Sequence, residues 1–215
     1  MKPADIERES MAIITRELAQ RGETPPDEVA AVVKRVIHTT ADFDYAKALY
    51  FTDGAVSRGV AALRGGVIVT DTSMALSGVS AAALRALGCE AVCYIADADV
   101  AAEAKARGVT RSEVSMERAL REHPGAVYAV GNAPTALLKL AERIEAGARP
   151  ALVIGVPVGF VNVTESKERA RAACEAHRVP AILAMGRKGG STVAAAICNA
   201  LLYTAALWLD PGTRL

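Results

Sequence analysis

One histidine stands at the end of an apolar helical run in Val36-Ile-His-Thr-Thr-Ala-Asp-Phe-Asp44, among hydroxyls and carboxylates. Imidazole gives and takes a proton near neutral pH, so His38 is the strongest candidate for chemistry. Arg35 lies three residues earlier, on the same face of the expected helix. A histidine that only caps the helix through backbone carbonyls would occupy the same setting, and the segment alone does not separate the two.

Other residues stand where they could hold an anionic ligand. Gly186-Arg-Lys-Gly-Gly-Ser191 combines the cations Arg187 and Lys188 with the flexible backbone of Gly189 and a helix entry. An anion there would meet side-chain charge and free N–H groups together. Thr110 is a fair N-cap, which puts Arg111 in a first turn, against the helix dipole, and favours a binding role. Ser80 follows Gly78-Val79. Asn132 follows Gly131 at a helix entry, where stabilising the turn is a slightly more frequent role than ligand contact. Ser10 sits mid-helix, where a bond to its own backbone is ordinary. Gly155-Val-Pro-Val-Gly-Phe-Val-Asn162 is too apolar for a solvated loop and suits either a flat, greasy ligand or a kinked strand extension, with Pro157 ending any plain central strand before it.

Several chemistries lack their motif. The Gly-x-x-x-x-Gly-Lys-Ser/Thr order is absent, as is a Gly-x-Gly-x-x-Gly after the first strand. The four cysteines, at 89, 93, 174 and 198, have no Cys-x-x-Cys spacing, and the histidines are scattered; neither a metal site nor a cofactor is expected.

The elements that must position these groups follow from periodicity. Helices are expected over 4–21 and 26–38, the second opened by Pro25-Pro26 with Val29, Val32, Val33 and Val36 at helical spacing. Apolar runs at 67–70, 91–95, 126–130, 151–156 and 180–184 then alternate with helical stretches at 55–64, 79–87, 98–122 with a break near Gly108, 134–146, 165–177 and 190–207. This predicts an α/β fold: a mainly parallel sheet of about five strands with helices on both faces, preceded by two N-terminal helices, the whole of 1–215 forming one domain. The loops singled out above fall at the carboxyl ends of the strands, where such sheets bind ligands. With 25 Lys and Arg against 24 Asp and Glu and 4% aromatics, the chain offers no basic field or stacking surface for nucleic acid. No run approaches the roughly 20 apolar residues of a membrane span, so a cytoplasmic protein is expected.

Taken in order, Val36 to Asp44, Thr70-Asp-Thr-Ser-Met74, Gly131-Asn-Ala-Pro-Thr-Ala-Leu137, Gly155 to Asn162 and Gly186 to Thr192 resemble precorrin-8X methylmutase, also met as cobalt-precorrin-8 methylmutase. The resemblance runs from about Asp5 to Leu202. It implies a tetrapyrrole substrate whose methyl group moves from C-11 to C-12 by a [1,5]-sigmatropic shift, with His38 aiding at a ring nitrogen. It also implies Ser10, Arg35, Ser80 and Arg111 as substrate contacts, and a homodimer. The apolar 192–208 stretch, with Trp208 near its end, is expected to leave part of its stripe for a partner, with a core helix a nearly equal alternative. The residues alone leave two other functions open: a tetrapyrrole carrier that clamps its ligand through His38, and a phosphate-handling enzyme using the Gly186 to Ser191 loop.

Overall fold

The computed structural model describes residues 2–213. Two N-terminal helices come first, α1 (Pro3–Gln20) and α2 (Asp27–Thr40), separated by a turn with Gly22 in the left-handed region at φ 68°. Six strands follow: β1 (Leu49–Phe51), β2 (Val67–Thr70), β3 (Glu90–Val92), β4 (Val127–Val130), β5 (Leu152–Gly155) and β6 (Ala181–Ala184). They form one sheet in the order β1-β6-β5-β4-β2-β3, parallel except for β1, which runs antiparallel to β6. The five expected strands are all present. The sixth, β1, was not expected: three residues are too few for a period to register, and the run follows the helix-forming Ala46-Lys-Ala48 of the short helix α3 (Tyr45–Ala48).

The connecting helices are α4 (Ala55–Ala62), α5 (Ser73–Gly78), α6 (Ala81–Leu87), α7 (Ala98–Arg107), α8 (Arg111–Glu122), α9 (Pro134–Glu145), α10 (Val163–His177) and α11 (Ser191–Ala205). Successive strand residues face opposite ways, and the core divides accordingly. Ile68, Val127, Ala129, Ile154 and Ile182 pack toward α1, α2, α4, α5, α6 and α11. Val69, Tyr128, Val130, Val153 and Leu183 pack toward α7 to α10.

For the last helix the structure decides between two readings in favour of a core helix. Helix α11 leaves no apolar stripe for a partner, because it is enclosed by its own chain: α2, α4, α5 and α6 pack around it, and Val193 to Cys198, Ala200 to Leu202 and Ala205 are all buried. Only beyond the helix do Leu207 and Leu209 stand exposed. Among the described residues, no helix is long and apolar enough to cross a membrane.

All four cysteines are free. Burial pushes the Cys174 and Cys198 thiols up from 9.0 to about 12. Because those values lie above the unfolded ones, the native state keeps protons that the unfolded chain gives up. The stability they support is complete below pH 9 and is lost as pH rises toward 12. Unfolding free energy should therefore fall above pH 9 by on the order of 1 kcal/mol per pH unit for each thiol. Denaturant titrations across this range should show the slope shrinking in a Cys174→Ala, Cys198→Ala variant; an unchanged slope would assign the alkaline loss to other groups.

Candidate active site

The strand order reverses between β2 and β4: β3 lies on one side of β2, while β4, β5 and β6 proceed from the other. The carboxyl ends of β2 and β4 thus frame the switch point, where open α/β sheets bind ligands. Here the niche is filled from within. Asp71, the residue after β2, is buried and accepts the N–H groups of Gly131 (2.8 Å), Asn132 (2.8 Å) and Ala133 (2.8 Å). These are the donors that lead into α9, whose N-terminus would otherwise attract an external anion. Burial pushes the Asp71 carboxyl up from its ordinary value, against the opposing pull of the three N–H groups. Gly131 is needed beside it: a β-carbon there would come within 2.7 Å of the Ser191 Cα and 3.0 Å of the Ala194 Cβ at the start of α11.

A second buried charge serves the loop after β6. Lys167 on α10 is fully buried and donates from Nζ to the carbonyls of Gly186 (2.8 Å) and Lys188 (2.8 Å). Burial alone pulls it down to about 8. Gly189 lies so close to the strand-end loop that a β-carbon would collide with the carbonyls of Val156 and Pro157, and Gly190 N–H donates to Val156 at 2.8 Å. The glycine at 189 therefore answers to a backbone contact as well as to any ligand. The sequence signals neither role: Asp71 lies in the Thr70 to Met74 block but reads there as a turn residue, and Lys167 reads as one cation of a solvated helix.

The structure gathers the expected residues into two groups. On the rim, Thr110 N-caps α8 with the reciprocal bond to Glu113 and donates to Thr135 at 3.0 Å, which brings Arg111 beside the entry to α9 and Asn132. Both side chains are exposed. Arg187 lies over the Phe160 ring at 5.5 Å. Phe160 and Val161 are 83% and 77% exposed, and Val158 and Met74 are exposed too, so the Gly155 to Asn162 loop does present an apolar face at this edge.

The other group follows the seam between α1 and α2. Arg35 pairs with Glu7 at 2.6 Å and lies over the Tyr203 ring at 5.3 Å. His38, exposed, is one turn farther along α2, and Ser10 one turn beyond Glu7 on α1. The Ser10 hydroxyl donates to the Ile6 carbonyl at 2.9 Å, its local alternative. Helix α2 continues two residues past His38, and Thr39 and Thr40 donate to the carbonyls of Arg35 and Val36, so these hydroxyls turn onto the helix. A groove of about 760 Å³ runs beside the seam, lined among others by Met11, Arg16, Lys34, Arg35 and Tyr203.

Ser80 joins this group through α11. Its hydroxyl N-caps α6, while its N–H donates to Asn199 at 2.8 Å, and the Asn199 amide donates to the Gly78 carbonyl at 2.8 Å. Asn199 is one turn from Tyr203. Glu7, Asn199 and Tyr203 were not foreseen, because their relevance depends on which helices meet. Among the described residues, no group of three or more His, Cys, Asp or Glu is placed to hold a metal ion.

Replacing Asp71 by Asn keeps its shape but removes the charge and one acceptor, turning an amide toward N–H donors. The loss should be on the order of 2–3 kcal/mol in denaturant unfolding. Stability within about 0.5 kcal/mol of the parent, the scatter of ordinary surface changes, would mean that the three N–H groups find other partners.

Residues 5–204 match the CbiC, precorrin-8X methylmutase, family model. A cobalt-precorrin-8 methylmutase of Salmonella typhimurium is 45% identical, covering 94% of this chain and 95% of that protein. A precorrin-8X methylmutase of Pseudomonas aeruginosa is 43% identical, covering 91% and 93%. The crystal structure of a precorrin-8x methyl mutase from Thermus thermophilus superposes with a TM-score of 0.82 at 42% identity, covering 94% of this chain and 97% of that one. With the family model spanning both the seam and the rim, and relatives alike over nearly the full length, the chain belongs to the precorrin-8X methylmutase family.

Proposed function

We propose that this protein is the intramolecular isomerase that moves a methyl group from C-11 to C-12 of precorrin-8X, or of its cobalt-bearing counterpart, in cobalamin biosynthesis. The observation that carries the reading is the exposed imidazole of His38 one turn from Arg35, whose guanidinium is fixed between Glu7 and Tyr203 at the edge of a groove of about 760 Å³. A sigmatropic shift needs no hydride carrier, phosphate donor or nucleophile. It needs a shaped apolar surface, cations for the acetate and propionate arms, and one group able to deliver a proton or hydrogen bond to a ring nitrogen. Arg16, Lys34 and Arg35 line the groove, Arg111 and Arg187 stand on the rim, and His38, one turn beyond Arg35 and outside the groove's lining, supplies the acid. A metal held by the macrocycle's own nitrogens needs no ligand from the protein, so both forms of the substrate suit this site.

The phosphate-handling alternative is disfavoured by two contacts: Asp71 already occupies the N–H groups before α9, and Lys188 is engaged by carboxylates. In the carrier alternative His38 only clamps the ligand, and turnover decides. His38→Ala should lose about 10²–10⁴-fold in kcat, the usual worth of a positioned acid, while still binding the chromophore, with conversion followed by its absorption spectrum. Near-parental turnover would remove His38 from the chemistry.

The entire chain acts as one catalytic domain in the cytoplasm, a setting that suits four free thiols, and two copies form the working unit. The exposed Met74, Val158, Phe160 and Val161 around the rim offer apolar surface that a second copy and the ligand would enclose between them, a pocket completed across the pair. Sedimentation should give a dimer, and Phe160→Asp together with Val161→Asp should shift it toward monomer with a loss of turnover. A fully active monomer would refute the paired site.

A further inference from the structure

Lys188 belongs to the loop that reads in sequence as an anion site, yet its ammonium already has partners from a distant part of the chain. Its Nζ lies 2.7 Å from the Asp42 carboxylate and 2.6 Å from that of Asp44. Hydrogen bonds to these carboxylates raise the Lys188 ammonium above its ordinary value and hold Asp42 below its own. Asp42 is four residues beyond His38, and the chain between them is tightly folded. The Asp42 N–H donates to Thr40 Oγ1 (3.2 Å), which itself donates to the Val36 carbonyl (2.9 Å), and the Asp44 N–H donates to Asp42 Oδ1 (3.0 Å). The helix is closed by Ala41 at φ 54°, a left-handed conformation that is strained for a residue with a β-carbon and persists only where its surroundings impose it.

On its other side Lys188 is mounted on a rigid support. The loop is pinned from beneath by the buried Lys167 ammonium at the carbonyls of Gly186 and Lys188, and pressed at Gly189 and Gly190 against the strand-end loop at Val156 and Pro157. We infer that Lys188 is a positioning residue: it latches the loop after β6 to Asp42 and Asp44, fixes the turn that ends α2, and so sets the place of His38, with Lys167 as the anchor of the latch. This rests on the assignment of His38 as the catalytic acid. Exposed ion pairs contribute little to stability. Breaking the latch should therefore leave the protein folded and misplace the imidazole, and small misplacements of an acid are costly in rate.

The test is a kinetic cycle on the full chain with precorrin-8X. Lys188→Met on one side and Asp42→Asn with Asp44→Asn on the other should each lower kcat on the order of 10-fold with the Kd for the chromophore unchanged, and the triple variant should be no worse than either, because all break one connection. Lys167→Met should fall in the same class. A direct contact between Lys188 and a substrate carboxylate gives the opposite pattern, weaker binding with kcat intact in Lys188→Met and no effect of the aspartate changes; that pattern, or additive losses, overturns the latch. Hydrogen exchange reads the latch without substrate. Amides from Ala41 to Ala46 should exchange faster in both single-side variants, and unchanged exchange overturns the inference. Absence of turnover in the parent protein would instead count against the methylmutase reading, leaving the exchange result to judge the latch.

Discussion

The arrangement of the carboxyl edge depends on one buried carboxylate. Asp71 follows β2 and binds three consecutive N–H groups after β4, so it ties together the two strands between which the sheet reverses. A loop of that kind ordinarily awaits a ligand to satisfy its amides. Here the protein provides its own anion, which fixes the entry to α9 and the direction in which Asn132 leaves it. The hydroxyls of Thr72 and Ser191, 2.8 Å apart, extend the same tie to the N-terminus of α11. A ligand approaching this edge meets a completed hydrogen-bonded surface from which exposed side chains project.

Lys167 plays the complementary part with carbonyls in place of amides. A buried ammonium is held at a cost, which burial expresses by drawing its pKa down to about 8. It satisfies two carbonyls of an irregular loop that neither helix nor sheet could pair. Two isolated charges of opposite sign thus stiffen two neighbouring loops. The exposed residues gain fixed positions without being buried themselves, the condition a binding rim has to meet.

Much of this was legible in the sequence where the signal is periodic or local. The five parallel strands and the opening helices follow from apolar spacing, and Thr110 was identified as an N-cap from its type and place. Strand β1 escaped because three residues carry no period. The closure of α11 within its own chain escaped for a different reason: an apolar helix looks the same whether its neighbours come from one chain or two. The roles of Asp71 and Lys167 escaped because charge in sequence reads as solvated surface, and burial is decided by elements more than 50 residues away for Asp71 and about 20 for Lys167. The seam residues were the most accessible of the site, since the three-residue step from Arg35 to His38 fixes a shared helix face without tertiary knowledge; that Glu7, Tyr203 and Asn199 complete it could be learned only from packing.

The economy of this site is consistent with the reaction proposed for it. A phosphate-transfer or redox enzyme needs open amides for its cofactor, whereas here the N–H groups before α9 are taken by Asp71 and Gly189 is pressed against Val156 and Pro157. What remains outward is apolar surface at Met74, Val158 and Phe160, dispersed arginines, and one imidazole on an exposed helix turn. A flat polycarboxylate whose bonds rearrange internally asks the protein for little more than shape, dispersed positive charge and a well-placed proton. Under that demand, selectivity comes from where the cations stand rather than from how strong any one of them is, and rigid loops beneath exposed arginines are the structural form such selectivity takes.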